Sequence, residues 1–238
     1  MRLGPAWCWR KRGVRTDKQE AELSEAPAVL DMLPLKGRLV TNDALYCQRE
    51  WCERVLAKGG DYLVIVKRNQ SRLYEDIKLL FDEPPIGEAF AVAEQIDRHG
   101  DRREVRRIWV STALSGYLNW PGSRQVCKVE RQTERKGKLT RQVRYSMTSL
   151  DARTTAGQLL GHVRGHWGIE NRLHYVRDVT FGEDASQIRT GSAPQVMAAL
   201  RNVVLNLLRE AGVNNIAAAL RQNGWQRCAS LKLLGLAV

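Results

Sequence analysis

The sequence predicts an α/β fold with an inserted antiparallel β segment and a helical C-terminal part. Three observations carry that expectation. Residues 25–81 alternate short helical and short extended patterns joined by brief links, as an α/β core does. Residues 89–150 alternate apolar with polar side chains over four runs, as antiparallel strands with one wet face do. Beyond Leu150, apolar residues return at spacings of three and four, the period of a helix.

EAPAVLDMLPL (25–35) reads as a helix with Val29, Leu30 and Leu33 on one face, and RLVT (38–41) as a short buried strand. Residues 44–58 form an amphipathic helix closed by Gly59-Gly60. YLVIVK (62–67) is a continuous β-branched run, the composition of a parallel strand buried on both faces. SRLYEDIKLLF (71–81) opens on a serine suited to cap a helix. Pro84-Pro85 then breaks the pattern. AFAVAEQI, REVRRIWVS, QVCKVERQT and LTRQVRYSMTSL read as strands, with Lys136-Gly137-Lys138 as a hairpin tip. Helices are expected at 153–177, 193–210, 213–223 and 226–236. The expected domains are 1–86, an N-terminal core half; 87–150, a basic β-rich insertion; and 151–238, a helical return of the core.

A 43% hydrophobic and 27% charged composition excludes a fibre, a largely disordered chain and a disulfide-stapled miniprotein. The five cysteines include no C-x-x-C pair, so reduced, buried thiols are expected rather than a zinc site. No run approaches the roughly 18 apolar residues of a membrane span. The N-terminus lacks an apolar stretch of signal-peptide length. A cytoplasmic protein with no membrane partner is expected.

The charge is segregated. Residues 98–144 carry 13 basic and 4 acidic groups, +9 of the net +12. Arg103, Arg106, Arg107, Lys128, Arg131, Lys136 and Lys138 lie in this stretch, with Trp109, Tyr117 and Trp120 interleaved. Segregated cations attract a phosphate backbone through steering and counterion release. The other reading, a solvated face with no partner, stands beside it. Contact with about six phosphates would give log K a slope near −5 against log salt.

Two carboxylates are chemical candidates. Asp43 follows the RLVT strand, and ligands of open α/β sheets gather beyond strand carboxyl ends. An aspartate there also serves as a plain N-cap. Glu170 sits between His166 and His174, four residues from each, and Arg177 follows, which puts all four on one helical stripe. That stripe reads equally as a surface network. H-E-x-x-H is absent, which argues against zinc. Carboxylates from distant segments suit Mg²⁺, a hard ion that takes phosphate oxygens.

The segment RGHWGIENRLHYVRDVTFGEDASQIRTGSAPQVMAALRN (164–202) resembles the C-terminal signature of bacterial insertion-sequence DDE transposases, in the H-repeat-associated branch. VTNDALYCQRE resembles that family's second-aspartate segment, GGDYLVIVKRNQ its next strand and YSMTSL the end of its β insertion. The resemblance runs from about residue 14 to about residue 221. It implies an RNase-H-like core with an inserted antiparallel β subdomain and C-terminal helices. It also implies cleavage and transfer of double-stranded DNA, at transposon ends and target, with Mg²⁺ or Mn²⁺, by a homodimer. Asp43 matches the second catalytic aspartate and Glu170 the catalytic glutamate, both as metal ligands. Val163, His166 and Arg177 stand where the wider superfamily has a Tyr, an Arg and a Lys or Arg. Only Arg177 keeps the charge type, as a DNA contact. Neither Asp17 nor Asp31 matches the first catalytic aspartate, so the resemblance implies an N-terminally truncated, inactive transposase. Two other classes stay open: a non-catalytic DNA-binding remnant or inhibitor, and an interaction protein with no DNA role.

Overall fold

A computed structural model describes residues 18–169 and 174–226. The chain divides between His166 and Trp167 into two compact units.

The unit up to His166 is built on one six-stranded sheet. Helix α1 (Lys18–Asp31) precedes β1 (Leu39–Asn42). α1 starts before the expected helix and stops short of its expected end, because Pro34 disfavours helical backbone at Leu33 and offers no N–H. β1 leads into a 3₁₀ turn (Ala44–Tyr46) and then α2 (Arg49–Ala57), so the single helix expected at 44–58 is broken at Cys47-Gln48. β2 (Asp61–Val66) and α3 (Ser71–Asp82) follow. Ser71 is the first helical residue rather than the cap, because a 3₁₀ turn (Arg68–Gln70) runs directly into α3. β3 (Ala91–His99), β4 (Arg102–Ser111), β5 (Gln125–Arg135) and β6 (Lys138–Thr148) form an antiparallel meander. α4 (Ala156–Ile169) returns along the sheet.

The strand order is β1-β2-β6-β5-β4-β3. β1 pairs parallel with β2, Leu39 opposite Asp61, and β2 pairs antiparallel with β6, Leu63 opposite Thr148. The meander therefore extends the same sheet as the two parallel strands. β2 is buried from Tyr62 to Val66, as its β-branched run requires. β1 is half-buried throughout rather than buried, being the outermost strand on its side among the described residues.

Alternation along the strands sends apolar side chains into two cores. Tyr62, Val64, Val66, Val126, Tyr145 and Met147 face α1, α2 and α3, where Leu30, Cys52, Val55 and Ile77 cover them. Leu63, Ile108, Val110, Cys127 and Val129 face α4, against Ala156, Leu159 and Leu160. The loop between β4 and β5 folds back on the first core. Leu118 is buried there, Tyr62 Oη donates to Pro121 O at 2.6 Å, and Trp120 Nε1 approaches Cys52 Sγ at 3.4 Å.

In the second unit, a π-helical turn (Val176–Thr180), α5 (Ala193–Glu210) and α6 (Ile216–Trp225) enclose Leu205, Leu208, Ile216 and Ala219. Gly212, at φ +76°, makes the turn between α5 and α6 that only glycine adopts without strain. Most of the helix expected at 226–236 lies outside the described residues. No helix among the described residues is long and apolar enough to cross a membrane.

Two outcomes follow from this packing. Gly122 sits at φ +61°, and a Cβ there would come within 2.7 Å of Leu56 Cδ1. Gly122→Ala should therefore cost about 1–3 kcal/mol in urea unfolding, from strain and overpacking together. Cys47, Cys52 and Cys127 are free and buried, and burial pushes their thiols up to about 12, about 11 and about 12. Alkylation followed by peptide mapping at pH 8 should find these three at least about a hundredfold slower in the folded chain than in urea, because the thiolate is the reacting form.

Candidate functional site

Asp43 stands immediately beyond the carboxyl end of β1, in extended backbone (φ −76°, ψ −177°). Its Oδ1 accepts the Leu45 N–H at 3.0 Å, so the capping role is real. That bond uses one oxygen of an exposed carboxylate and leaves the other directed at no protein donor among the described residues. The turn carrying Asp43 is stitched in place. Asn42 Oδ1 accepts from Trp51 Nε1 at 3.1 Å, Asn69 Nδ2 donates to Ala44 O at 2.7 Å, and Gln70 Nε2 donates to Cys47 O at 2.9 Å. Three side chains from α2 and the 3₁₀ turn before α3 thus hold the strand end, which gives the carboxylate a fixed direction. On the α4 side, His166 Nδ1 lies 3.3 Å from Thr41 Oγ1, two residues before Asp43. Glu170 lies outside the described residues, and among the described residues no three His, Cys, Asp or Glu side chains form a group able to hold a metal.

The other residues of the expected helical stripe fall as follows. Val163 packs into the core beneath α4. His174 is exposed. Arg177 is buried, and its Nε and Nη2 donate to the two carboxylate oxygens of Glu183 at 2.6 Å each. It sits in the π-helical turn, where the wider i→i+5 bonding seen from Phe181 N to Val176 O does not keep a three-and-four spacing.

The cations of the β meander divide between the two faces of the sheet. Register puts Arg103, Arg107 and Lys128 on the face toward α3, and Arg106, Arg131 and Lys138 on the face toward α4. Lys136 is at the hairpin tip, at φ +50°. Most of these charges are already engaged. Arg106 pairs with both Asp97 and Glu104, and Arg131 with Glu104. Arg107 Nε donates to Glu94 at 2.8 Å. Lys128 reaches Asp82 at 3.3 Å and lies over the Trp109 ring. Arg141, outside the expected set, holds Glu130 at 2.5 Å, and Arg164 of α4 holds Asp97 at 3.0 Å. Arg103, Lys136 and Lys138 are exposed and pair with no acid among the described residues. Of the interleaved aromatics, Trp109 and Trp120 pack against the core, and only Tyr117 is exposed. The sequence offered no sign of this, because strand alternation and the returning loop turn both indoles inward.

The buried carboxylates organise this network. Burial alone would push Glu104 up. The hydrogen bond from Arg131 and the charges of Arg106, Arg131 and Arg102 outweigh it and hold the group below its ordinary value. Glu130 is held down chiefly by its hydrogen bond to Arg141, against burial. Carboxylates lowered in the folded state add stability above their unfolded pKa of about 4.3 and lose it as pH falls through the lowered value. Urea midpoints should therefore fall between about pH 5 and about pH 3. Glu104→Gln, which strips three arginines of their shared acid, should cost about 2 kcal/mol at pH 7 and flatten that acid limb.

The sequence was compared with known proteins. It matches the transposase DDE domain family over residues 13–207. It is 32% identical over 209 residues to putative protein YbfL of Escherichia coli K12, covering 82% of this chain and 53% of that protein. It is 31% identical over 209 residues to the H repeat-associated putative transposase YhhI of the same strain, covering 82% and 53%. It is 32% identical over 208 residues to putative transposase YncI of Escherichia coli O157:H7, covering 83% and 52%. The chain spans about half the length of these curated relatives. With a family match over residues 13–207 and relatives 31–32% identical over 82–83% of it, the chain belongs to the DDE transposase family.

Proposed function

We propose that the chain acts on double-stranded DNA in the manner of an insertion-sequence transposase, with Asp43 and Glu170 as two of its metal-holding carboxylates. The observation that carries this reading is the placement of Asp43: an exposed carboxylate fixed by its cap bond at the end of a parallel strand, where α/β sheets gather ligands. The parallel β1–β2 pair, layered by helices, supports an RNase-H-like core, with residues 87–150 as its antiparallel insertion.

The donors fit the ion the family calls for. The carboxylate oxygens of Asp43 and Glu170 are hard ligands suited to Mg²⁺ or Mn²⁺, and neither thiol nor a histidine pair competes beside Asp43 among the described residues. When bound, the ion supplies Lewis acidity to a DNA phosphodiester. The chain's own part is to hold oxygen donors in a fixed direction. The Leu45 N–H orients the Asp43 carboxylate, and the His166–Thr41 contact ties α4 to the same strand.

DNA backbone contact falls in this reading to the exposed cations Arg103, Lys136 and Lys138. Arg106, Arg107, Lys128 and Arg131 hold the strands through their acids and add to the field. Arg177 braces the second unit through Glu183. A homodimer would bring two such lobes to paired transposon ends. Neither Asp17 nor Asp31 matches the family's first catalytic position, so the chain by itself should bind DNA without cutting it.

The test is a gel shift on random-sequence duplex alongside nicking of supercoiled plasmid with Mg²⁺ or Mn²⁺. Binding without nicking is expected. Metal-dependent nicking lost in both Asp43→Asn and Glu170→Gln would overturn the inactivity and show that the chain supplies a third ligand. No binding at low salt would favour an interaction protein with no DNA role.

A further inference from the structure

We propose that the tip of the β5–β6 hairpin forms an anion cleft, lined by Arg102, Arg135, Lys136 and Lys138, that grips the phosphodiester backbone of duplex DNA. This rests on the reading of the chain as a DNA-handling protein and deepens it by naming where the backbone sits. The expected contact set did not include Arg102 or Arg135.

The first observation is register. Arg102 of β4 lies opposite Arg135 of β5, and Arg135 lies opposite Lys138 of β6. Alternation puts all three on one face, so three cations stand side by side across three strands. Like charges directly opposite destabilise a sheet. The next row inward on that face is Glu104, Thr133 and Thr140: Glu104 is shared among Arg102, Arg106 and Arg131, and the other two positions supply hydroxyl groups. The corresponding row on the other face also opposes two arginines, Arg98 and Arg103, but there Arg103 has Glu134 on its other side, an acid that can offset it.

The second observation is shape. Arg102, Thr133, Arg135, Lys136, Lys138 and Thr140 surround an open cavity of about 640 Å³, and no acidic side chain lines it. The acids nearby relieve the row only in part. Arg102 is paired through one Nη with Glu104, while its buried Nε has no hydrogen-bond partner. Arg135 reaches Asp101 at 3.8 Å, both side chains being largely exposed.

The third observation is the turn. Arg135 and Lys138 pair directly, so Lys136-Gly137 is a two-residue turn with φ of +50° and +73°. Such turns favour Asn or Gly at the first position. A lysine there puts a fourth cation at the mouth of the cleft at a cost in backbone strain. Four cations and two threonine hydroxyls around one opening suit a run of phosphodiester oxygens, which accept charge-assisted hydrogen bonds from arginine and lysine.

The experiment compares two charge-matched double variants of the full chain by fluorescence anisotropy on a short random-sequence duplex. Arg135→Gln/Lys138→Gln removes two cations from the cleft. Arg72→Gln/Arg98→Gln removes two exposed cations from the opposite side of the same sheet, one on α3 and one on β3. The cleft variant should bind roughly tenfold more weakly, and the opposite-face variant within about twofold of the wild type. Thermal unfolding of the DNA-free proteins gives an independent reading. Lys138→Gln should raise the midpoint by about 1–3 °C at low salt, with the gain shrinking as salt rises, because it relieves a row of like charges. Wild-type binding with equal losses in both double variants, or with none in the cleft variant, would overturn the cleft and leave the DNA reading standing. So would a lower midpoint for Lys138→Gln. No binding by the wild type would instead overturn the DNA reading itself, and the cleft with it.

Discussion

The larger unit depends on the burial of β2. Tyr62 to Val66 are covered by helices on both faces, and the strand is paired on both edges, parallel to β1 and antiparallel to β6. A one-residue slip of either pairing would exchange the two apolar sets, Tyr62, Val64 and Val66 against Leu63 and Ile65. The register is therefore held from two sides. Through it the strand end that carries Asp43 and the meander that carries the cations belong to one continuous sheet. A β meander attached by a linker would leave that relation loose. A meander paired to a buried strand through β6 fixes it.

Charge in the meander serves two purposes, and the structure separates them. Beyond the reach of the helices, the sheet has too little apolar cover to hold four long strands together. Ion pairs take over there. Glu104 and Asp97 gather Arg102, Arg106, Arg131 and Arg164 on the face toward α4, while Glu94 and Glu130 hold Arg107 and Arg141 on the other. Half-buried pairs of this kind are screened less than surface ones, and losing one partner costs more than the pair itself contributes. A net charge of +9 over residues 98–144 thus overstates what is presented to a partner. Among the described residues, the meander's exposed cations that meet no acid, Arg98, Arg103, Lys136 and Lys138, lie toward the ends of its two hairpins.

Much of the fold was legible in the residues because local patterns and burial agree. The β-branched run of β2, the alternation of β3 to β6 and the boundaries of α5 follow directly from period and punctuation. The sheet order was not legible, since nothing in the alternation of YSMTSL says that it pairs with YLVIVK. The break at Cys47-Gln48 was hidden as well. It arises from side-chain bonds made by Asn69 and Gln70, more than 20 residues away. At the candidate site, Asp43 was legible as a strand-end acid, and its capping bond and its outward oxygen coexist. The cations were legible as a group but not one by one. Which arginine meets an acid depends on cross-strand register, and a single sequence does not state it. For the same reason nothing in the sequence marks Arg102 and Arg135 off from the other cations of residues 98–144.

If the chain handles DNA as proposed, only a minority of its cations meet the backbone. The most direct measurement is the dependence of wild-type affinity for random duplex on salt. Four phosphate contacts at the hairpin tip predict a slope of log K against log salt of about −3.5, from about −0.9 per phosphate. A slope steeper than about −8 would mean that the ion pairs of the meander open to the backbone, and a slope near zero would mean that phosphate contact does not drive binding. Either result would rule out backbone contact confined to the hairpin tip.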